Sequence, residues 1–335
     1  MSNEIIGRDI EVGVAVGENA GSPSRSIQKT TANIFRGVEH AEDDTTRGSI
    51  IASKQRRVVQ HWLEGSIGGI IHADAIGYFL ANLWGTTSSG AESNGTYEHT
   101  ITLDDDHYHT PLSLWLKEGT DIYDGEAVQV NSLEVTAGVD DYLRYTAELI
   151  GEDLTTGSSF TPSYEQEVDF IGKDITIKVA NTKAGLSSAT AVQAKEVTIN
   201  QNRNLERNHV FNNKYTPETI YGPRFETEIS MTLNRVPGTD TYKDLFEGDG
   251  EKYVRITIEG SQDISDNSSD VNPKLEYTFY KAQVTGRDKT DDADALVEEQ
   301  LTIGCYMQDD GGTDDGKLGE VTLVNNTEDY DEITS

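Results

Sequence analysis

The stretch Val58–Gly85 constrains the fold most strongly, because its periodicity changes from that of a strand to that of a helix. Side chains alternate from Val58 to Glu64, and the glycines within residues 65–69 predict a bend or a close backbone approach. Gly85 suits the position just past a helix. The apolar stripe of the helix predicted over 73–84 consists of Ile76, Phe79, Leu80, Leu83 and Trp84. A helix with one apolar face requires a sheet to cover it.

The segments around this unit have the alternation of strands. Residues 5–18 and Ala32–Val38 precede it, and residues 39–57 form a long polar insertion predicted to be a loop. Acidic residues 104–106 are predicted at a hairpin tip. The strand-like runs after the helix are Tyr97–Leu103, Thr110–Gly119, Glu126–Gly138 and Tyr142–Asp153. This order predicts an antiparallel meander with one helix.

The second half of the chain repeats the order strand, helix, strand, strand, strand. Aligning Ile67 with Ile229 places Trp84 on Phe246 without a gap, which predicts a second helix near 239–246. We therefore expect an all-β duplication with one short helix per domain. The predicted units are a first domain over 1–153, a linker over 154–170 and a second domain over 171–335. A last strand at Glu320–Asn325 is predicted to precede a mobile acidic end.

The net charge of −32, from 59 acidic and 27 basic residues, argues against general adhesion to nucleic acid or anionic membranes. A solvated surface that resists aggregation and a host that lives in high salt are both compatible with it. The single cysteine, Cys305, lies in a strand-like run and is expected to be a buried small hydrophobe. The charged start and the absence of long apolar runs predict a soluble protein made in a reducing cytoplasm.

The clusters that resemble chemical sites are interpreted as solvated loops. Asp104, Asp105, Asp106, His107 and His109 form the most metal-like group, but an Asp-rich turn needs no metal. The group Asp309, Asp310, Asp314 and Asp315 lacks the spacing of a calcium loop. Nucleophile-elbow, zinc-protease and phosphate-loop motifs are absent. The sequence therefore predicts no enzyme, no cofactor and no metal site.

Six segments of the chain form a distinctive order of motifs: EVGVAVGENAG, WLEGSIGGIIHADAIGYFLANLWG, the YEHT of Tyr97–Thr100, TPLSLWLKEG, ITIEG and LEYTFYKAQVTGRD. In these segments the chain resembles the tail tube proteins of long-tailed bacteriophages and archaeal viruses. The resemblance implies a duplicated β-sandwich or small barrel flanked by helices. It also implies a structural virion protein that self-assembles into stacked rings around a channel for DNA.

The resemblance further implies the partners. Two copies of the fold per chain imply homo-trimeric rings with pseudo-six-fold symmetry. A homo-hexameric ring is the alternative. A tape measure protein would fill the lumen, and tail terminator and baseplate proteins would bind the ends. Genomic DNA would pass without specific binding because acidic lumen residues repel phosphates, and no membrane is involved.

Arg47, Lys54, Arg56 and Arg57 form a late basic cluster in the 39–57 insertion. We expect this insertion to become ordered between stacked rings by meeting acidic surface. Three alternatives stay open at the level of sequence: a baseplate ring with the same fold, an acidic extracellular β-sandwich binding module, and a hydrolase on a β scaffold.

Overall fold

The computed structural model describes most of the chain. The described residues are 5–18, 20–45, 55–92, 95–157, 159–211, 214–234, 247–248, 250–265, 271–290, 296–309 and 311–330. The predicted helix near 239–246 lies outside them.

The protein is mostly β-sheet, as predicted, with short antiparallel and long bent strands. The elements of the first half are β1 (Ile10–Val16), β2 (Arg25–Ile27), β3 (Thr31–Glu42), β4 (Arg56–Ile70), α1 (Ala75–Trp84), β5 (Gly85–Ala91), β6 (Tyr97–Leu103), β7 (Leu112–Glu118), β8 (Asp121–Gly138), β9 (Arg144–Gly151) and β10 (Asp153–Thr156). Those of the second half are β11 (Ile175–Ala180), β12 (Ala191–Val192), β13 (Ala194–Asn202), β14 (Glu206–Asn208), β15 (Thr219–Tyr221), β16 (Glu226–Asn234), β17 (Lys252–Glu259), β18 (Lys274–Thr290), β19 (Glu298–Tyr306) and β20 (Gly319–Asn325).

The two halves have the same strand-pairing order. In the first half β1 pairs with β7, followed by β8, β9, β4 and β3. In the second half β11 pairs with β17, followed by β18, β19, β16 and β13. All of these pairs are antiparallel, and each order matches the other strand for strand. The domain boundaries near 153 and 171 stay a prediction.

The two halves are joined edge to edge through β8 and β13. Residues 132–138 of β8 pair with residues 196–202 of β13. The result is a continuous eight-stranded sheet, here called the main sheet, in the order β3-β4-β9-β8-β13-β16-β19-β18. The N-terminal part of β8 and that of β18 leave this sheet and pair with β7 and β17, so two further layers fold over one face of the main sheet.

The core lies between the main sheet and these layers and includes residues from both halves. Helix α1 is fully buried there, and Gly85 caps its end with a φ of 95°, as the sequence predicts. The Trp84 ring is completely buried, and its Nε1 donates a 2.6 Å hydrogen bond to Gln201 Oε1 of the second half. The same ring lies 5.5 Å from Phe225. The helix therefore packs against both halves.

Residues 39–57 differ from the predicted loop, because β3 and β4 continue into them as a hairpin. Residues 39–42 pair with residues 56–60, with a bulge after Glu39. Backbone pairing satisfies the amide groups whatever the polarity of the side chains. These strand residues therefore could not be recognised from the polar sequence. Residues 46–54 lie outside the described part of the chain.

Of the bend or close backbone approach predicted at the glycines of residues 65–69, the structure shows the close approach. β4 continues through them to Ile70, and a Cβ on Gly65 would lie 2.2 Å from Asn33 O. One further expectation was wrong. Residues 104–106 are not at a hairpin tip, since β6 pairs with β5 and β20 and β7 pairs with β1 and β8.

The segment after β20 packs against α1 as far as Tyr330, although it was predicted to be mobile. Asn325 is fully buried, and its Nδ2 donates to Ala73 O at 2.8 Å. Tyr330 Oη donates to Asp74 O at 2.7 Å. A Cβ on Gly77 would lie 2.1 Å from the Tyr330 ring, so glycine is required at this helical position. Residues 331–335 lie outside the described part.

Replacing Trp84 with Ala tests the role of the helix. The substitution removes a fully buried ring and its hydrogen bond. We expect the free energy of unfolding to fall by about 3–5 kcal/mol in urea denaturation. Phe211→Ala is the matched control, because Phe211 is fully exposed and its loss should change stability by less than about 0.5 kcal/mol. Equal stability of the two variants would contradict this packing.

Candidate assembly surfaces

One face of the main sheet is buried and the other is polar. Side chains alternate between the two, so Leu133 and Val135 of β8 are buried while Glu134 points away from the core and is exposed. The acidic residues of this polar face include Glu39, Glu64, Glu134, Glu148, Glu196, Glu226, Glu228, Asp288 and Glu298. The neutral residues between them include Ser66, Ser132, Thr136, Thr146, Thr198, Asn200, Asn202, Ser230, Thr232 and Thr302.

The strand register keeps the carboxylates of this polar face apart. Glu134 lies opposite Thr146 on one side and Asn200 on the other. Glu228 lies opposite Asn200 and Gly304. Like charges directly opposite each other on neighbouring strands are destabilising. The alternation with neutral partners allows a strongly acidic face within one folded sheet.

The main sheet has two open edges in the described part of the chain. β3 pairs with β4 on one side only, and residues 284–290 of β18 pair with β19 on one side only. These two edges occupy equivalent positions with respect to the junction, where β13 and β8 pair with each other. An open strand edge presents unpaired backbone groups that favour pairing with another chain.

The outer end of the β3–β4 hairpin exposes apolar side chains. Val38, Val58 and Val59 are 39–41% exposed towards this end, and Phe35, opposite Glu64 in the inner part of the hairpin, is 45% exposed. Of the predicted basic cluster, Arg56 and Arg57 lie at this end, opposite Glu42 and Ala41. Arg56 Nη2 lies 2.8 Å from His40 Nδ1. Arg47 and Lys54 lie outside the described residues.

A second hairpin, β14–β15, connects β13 to β16 and folds back on the first half. The Arg207 guanidinium lies 3.9 Å from the centre of the Trp62 ring, and Arg207 Nη1 donates to Glu64 Oε2 at 3.4 Å. His61 N donates to Tyr215 O at 3.0 Å. These contacts were not predicted from the sequence.

The junction between the halves contains a buried arginine. Arg203 Nη1 donates to Gln129 Oε1 at 2.9 Å, and Arg203 Nη2 donates to His107 O at 3.2 Å. Burial lowers the pKa of Arg203 to about 10. Burial, together with the charge of Arg203, also lowers the pKa of His109. The histidines near the Asp-rich turn therefore take part in packing the junction.

The aspartates of that turn accept hydrogen bonds from nearby backbone amides. Asp104 Oδ1 accepts the amide of Asp106, and Asp106 Oδ1 accepts the amide of Tyr108. The first of these bonds holds the pKa of Asp104 below its usual value. In the described residues no group of three or more His, Cys, Asp or Glu side chains is arranged to hold a metal ion.

The second acidic loop and the cysteine also have structural surroundings. Asp309 pairs with Lys281 at 2.7 Å, and Asp314 lies 3.7 Å from Lys183. Asp315 Oδ1 accepts the Gly311 amide, and Asp310 lies outside the described part of the chain. Cys305 is buried, as predicted, and burial raises the pKa of its thiol. Among the described residues there is no helix with the length and hydropathy needed to span a membrane.

Comparisons with known proteins identify the family of the chain. A family model described as phage tail tube protein matches residues 12–304. No curated protein matches the chain. The solved structures that match include the SPP1 tail tube, with 16% identity, a TM-score of 0.29, and coverage of 48% of this chain and 81% of the other. With a family match over most of its length, the chain belongs to the phage tail tube protein family.

Proposed function

We propose that this tail tube protein forms homo-trimeric rings that stack into the tube through which the viral genome enters the host. The observation that carries the proposal is the main sheet, which consists of two equivalent four-stranded units and has two open edges. The junction β8–β13 is a template for the contact between subunits: β3 of one copy would pair with β18 of the next. A heterologous contact of this kind closes into a ring when the rotation permits.

The geometry of such a ring suits a conduit. Three copies of an eight-stranded sheet make 24 strands. With strands about 4.8 Å apart and tilted by about 40°, the circumference is about 150 Å and the backbone diameter about 48 Å. Barrels with 16 or more strands leave an aqueous channel. Closure also removes the open edges, which otherwise favour aggregation.

The polar face of the main sheet would line the lumen. Its glutamates would repel the phosphates of DNA, and its hydroxyl and amide groups would keep the wall hydrated. Genomic DNA would then pass without specific binding. The apolar face is already occupied by the core of the subunit, which supports the polar face as the lumen wall.

Family membership supports the remaining roles that we propose. The protein is a component of the virion tail, and we propose that it is made and assembled in the host cytoplasm. A tape measure protein inside the lumen, and terminator and baseplate proteins at the ends, are the partners we propose. Its role would be structural, without catalysis or a cofactor.

Assembly state is the direct test. Sedimentation of the purified protein is expected to give a species of three chains, and electron microscopy is expected to show hollow tubes. Rings that never stack would favour a baseplate position, and rings of six chains would replace the trimer. A stable monomer at all concentrations would overturn the proposed function.

Lysine substitution tests the lumen. Glu134 and Glu228 flank Asn200 across three neighbouring strands, so Glu134→Lys with Glu228→Lys places cations on the polar face. We expect tubes that retain DNA at low salt and release it as salt rises. The control exchanges Glu92 and Glu259 for Lys; both are exposed and lie outside the main sheet. Equal DNA retention by both variants would place the lumen elsewhere.

Ionic strength tests the balance of charges in assembly. Each subunit has a net charge of −32, so copies repel one another. The Debye length falls from about 8 Å at 0.15 M to about 3 Å at 1 M salt. We expect longer and more numerous tubes in molar salt, measured by electron microscopy across a salt series. Tubes that dissociate as salt rises would instead show that attractive ion pairs dominate.

A further inference from the structure

The hairpin between the two central strands of each half occurs twice in the chain. Ala32 pairs with Ile67 in the first half, and Ile199 pairs with Ile229 in the second. Aligning these pairs places Arg36 on Arg203, and His40 on Arg207. The β14–β15 hairpin is thus the counterpart of the outer end of the β3–β4 hairpin.

Among the described residues, only the outer end of the second hairpin is seated against the other half of the chain. β13 pairs with β8, and its hairpin reaches two strands further along the main sheet, to β4. There Arg207 stacks on Trp62 and donates to Glu64, while Tyr215 lies against His61 at a ring separation of 5.8 Å. The seat is on the first half of the same chain.

The β3–β4 hairpin presents the features of a docking element. Its exposed side chains Val38, Val58 and Val59 lie within two register positions of one another, while Phe35 lies further along β3 on the opposite face. Scattered exposed apolar residues are ordinary, but a cluster on a protruding hairpin indicates a contact surface. Arg56 and Arg57 add positive charge to the same end.

The surface that Arg207 contacts, formed by Trp62 and Glu64, has a counterpart in the second half. The alignment of Ile67 with Ile229 places Trp62 on Arg224, and Glu64 on Glu226. A groove of about 640 Å³ is found there, and its walls include Asn202, Arg224, Glu226, Glu228, Thr285 and Tyr306. Arg224 and Glu226 form an ion pair at 3.3 Å, and both side chains are more than half exposed.

We infer that the β3–β4 hairpin of one copy docks in this groove on a second copy, within the same ring. The inference rests on the proposed assembly. If β3 pairs with β18 of the neighbour as β13 pairs with β8, the hairpin reaches β16 of that neighbour, two strands further along. The charges are complementary, because Arg56 and Arg57 meet a groove that contains Glu226 and Glu228. Contact between stacked rings, expected from the sequence, is the competing arrangement.

Engineered cysteine pairs distinguish these arrangements. The background carries Cys305→Ala, which removes the single native thiol. The test pair is His40→Cys with Glu226→Cys, the counterparts of Arg207 and Glu64. The control pair is Arg207→Cys with Glu64→Cys, whose side chains touch within one chain. Assemblies are oxidised, denatured and separated by size, and each single-cysteine variant is run alongside.

We expect the control pair to give cross-linked single chains, and the test pair to give dimers and trimers with nothing larger. Cross-linked products of up to six chains and no larger would support docking within a hexameric ring. Cross-linked products larger than six chains, without an upper limit, would place the contact between rings and overturn the inference. Tubes without any product from the test pair would overturn it while leaving the proposed function intact. Monomers without tubes or products would overturn both.

A charge in the apolar cluster provides a second readout. Val58 is 41% exposed, and Val58→Asp would bury a carboxylate on docking. We expect the concentration needed for assembly to rise at least about tenfold, equivalent to about 1.4 kcal/mol. Phe211→Asp, at a fully exposed aromatic outside the cluster, should leave that concentration unchanged. An unchanged concentration for Val58→Asp would also overturn the inference.

Discussion

The pairing of β8 with β13 is the interaction on which the rest of the structure depends. It joins two equivalent halves at Val135 and Ile199, whose buried side chains continue the core across the junction. Arg203 and Gln129 close the adjacent polar space, where a buried charge is tolerated only because its donors are satisfied. With this pairing in place, the subunit keeps one open edge at each end of the main sheet. A subunit with two different edges is suited to head-to-tail closure.

Helix α1 and the alternating strands could be predicted from the sequence, because their apolar spacing directly reflects burial. Glu39–Glu42, Arg56 and Arg57 could not be recognised as strand residues, since pairing there depends on backbone bonds rather than on an apolar face. The seat of Arg207 on Trp62 was also beyond prediction, because it joins residues that only the β8–β13 junction brings together. An acidic lumen was expected from the resemblance. The glutamates that we propose for it could be identified only from the register of eight strands.

Repulsion between carboxylates on neighbouring strands destabilises a sheet. The strand register of the main sheet reduces this repulsion. Glu134 and Glu228 are separated by β13, so about 10 Å of neutral surface lies between their strands. This distance is comparable to the Debye length at physiological ionic strength. The negative charge is therefore spread over the face instead of being concentrated in opposed pairs. A strongly acidic face is therefore compatible with a stable sheet in this arrangement.

The position of Asn325 has a consequence for the time at which the subunit is completed during synthesis. Its amide donates to Ala73 O, a partner 252 residues earlier in the chain. At about 5–20 residues per second, the ribosome needs roughly 10–50 s to add that length. Throughout this interval the start of α1 lacks both Asn325 and the Tyr330 ring that covers Gly77. β3 and β4 are synthesised early, but the start of α1 is fully covered only after translation has passed Tyr330.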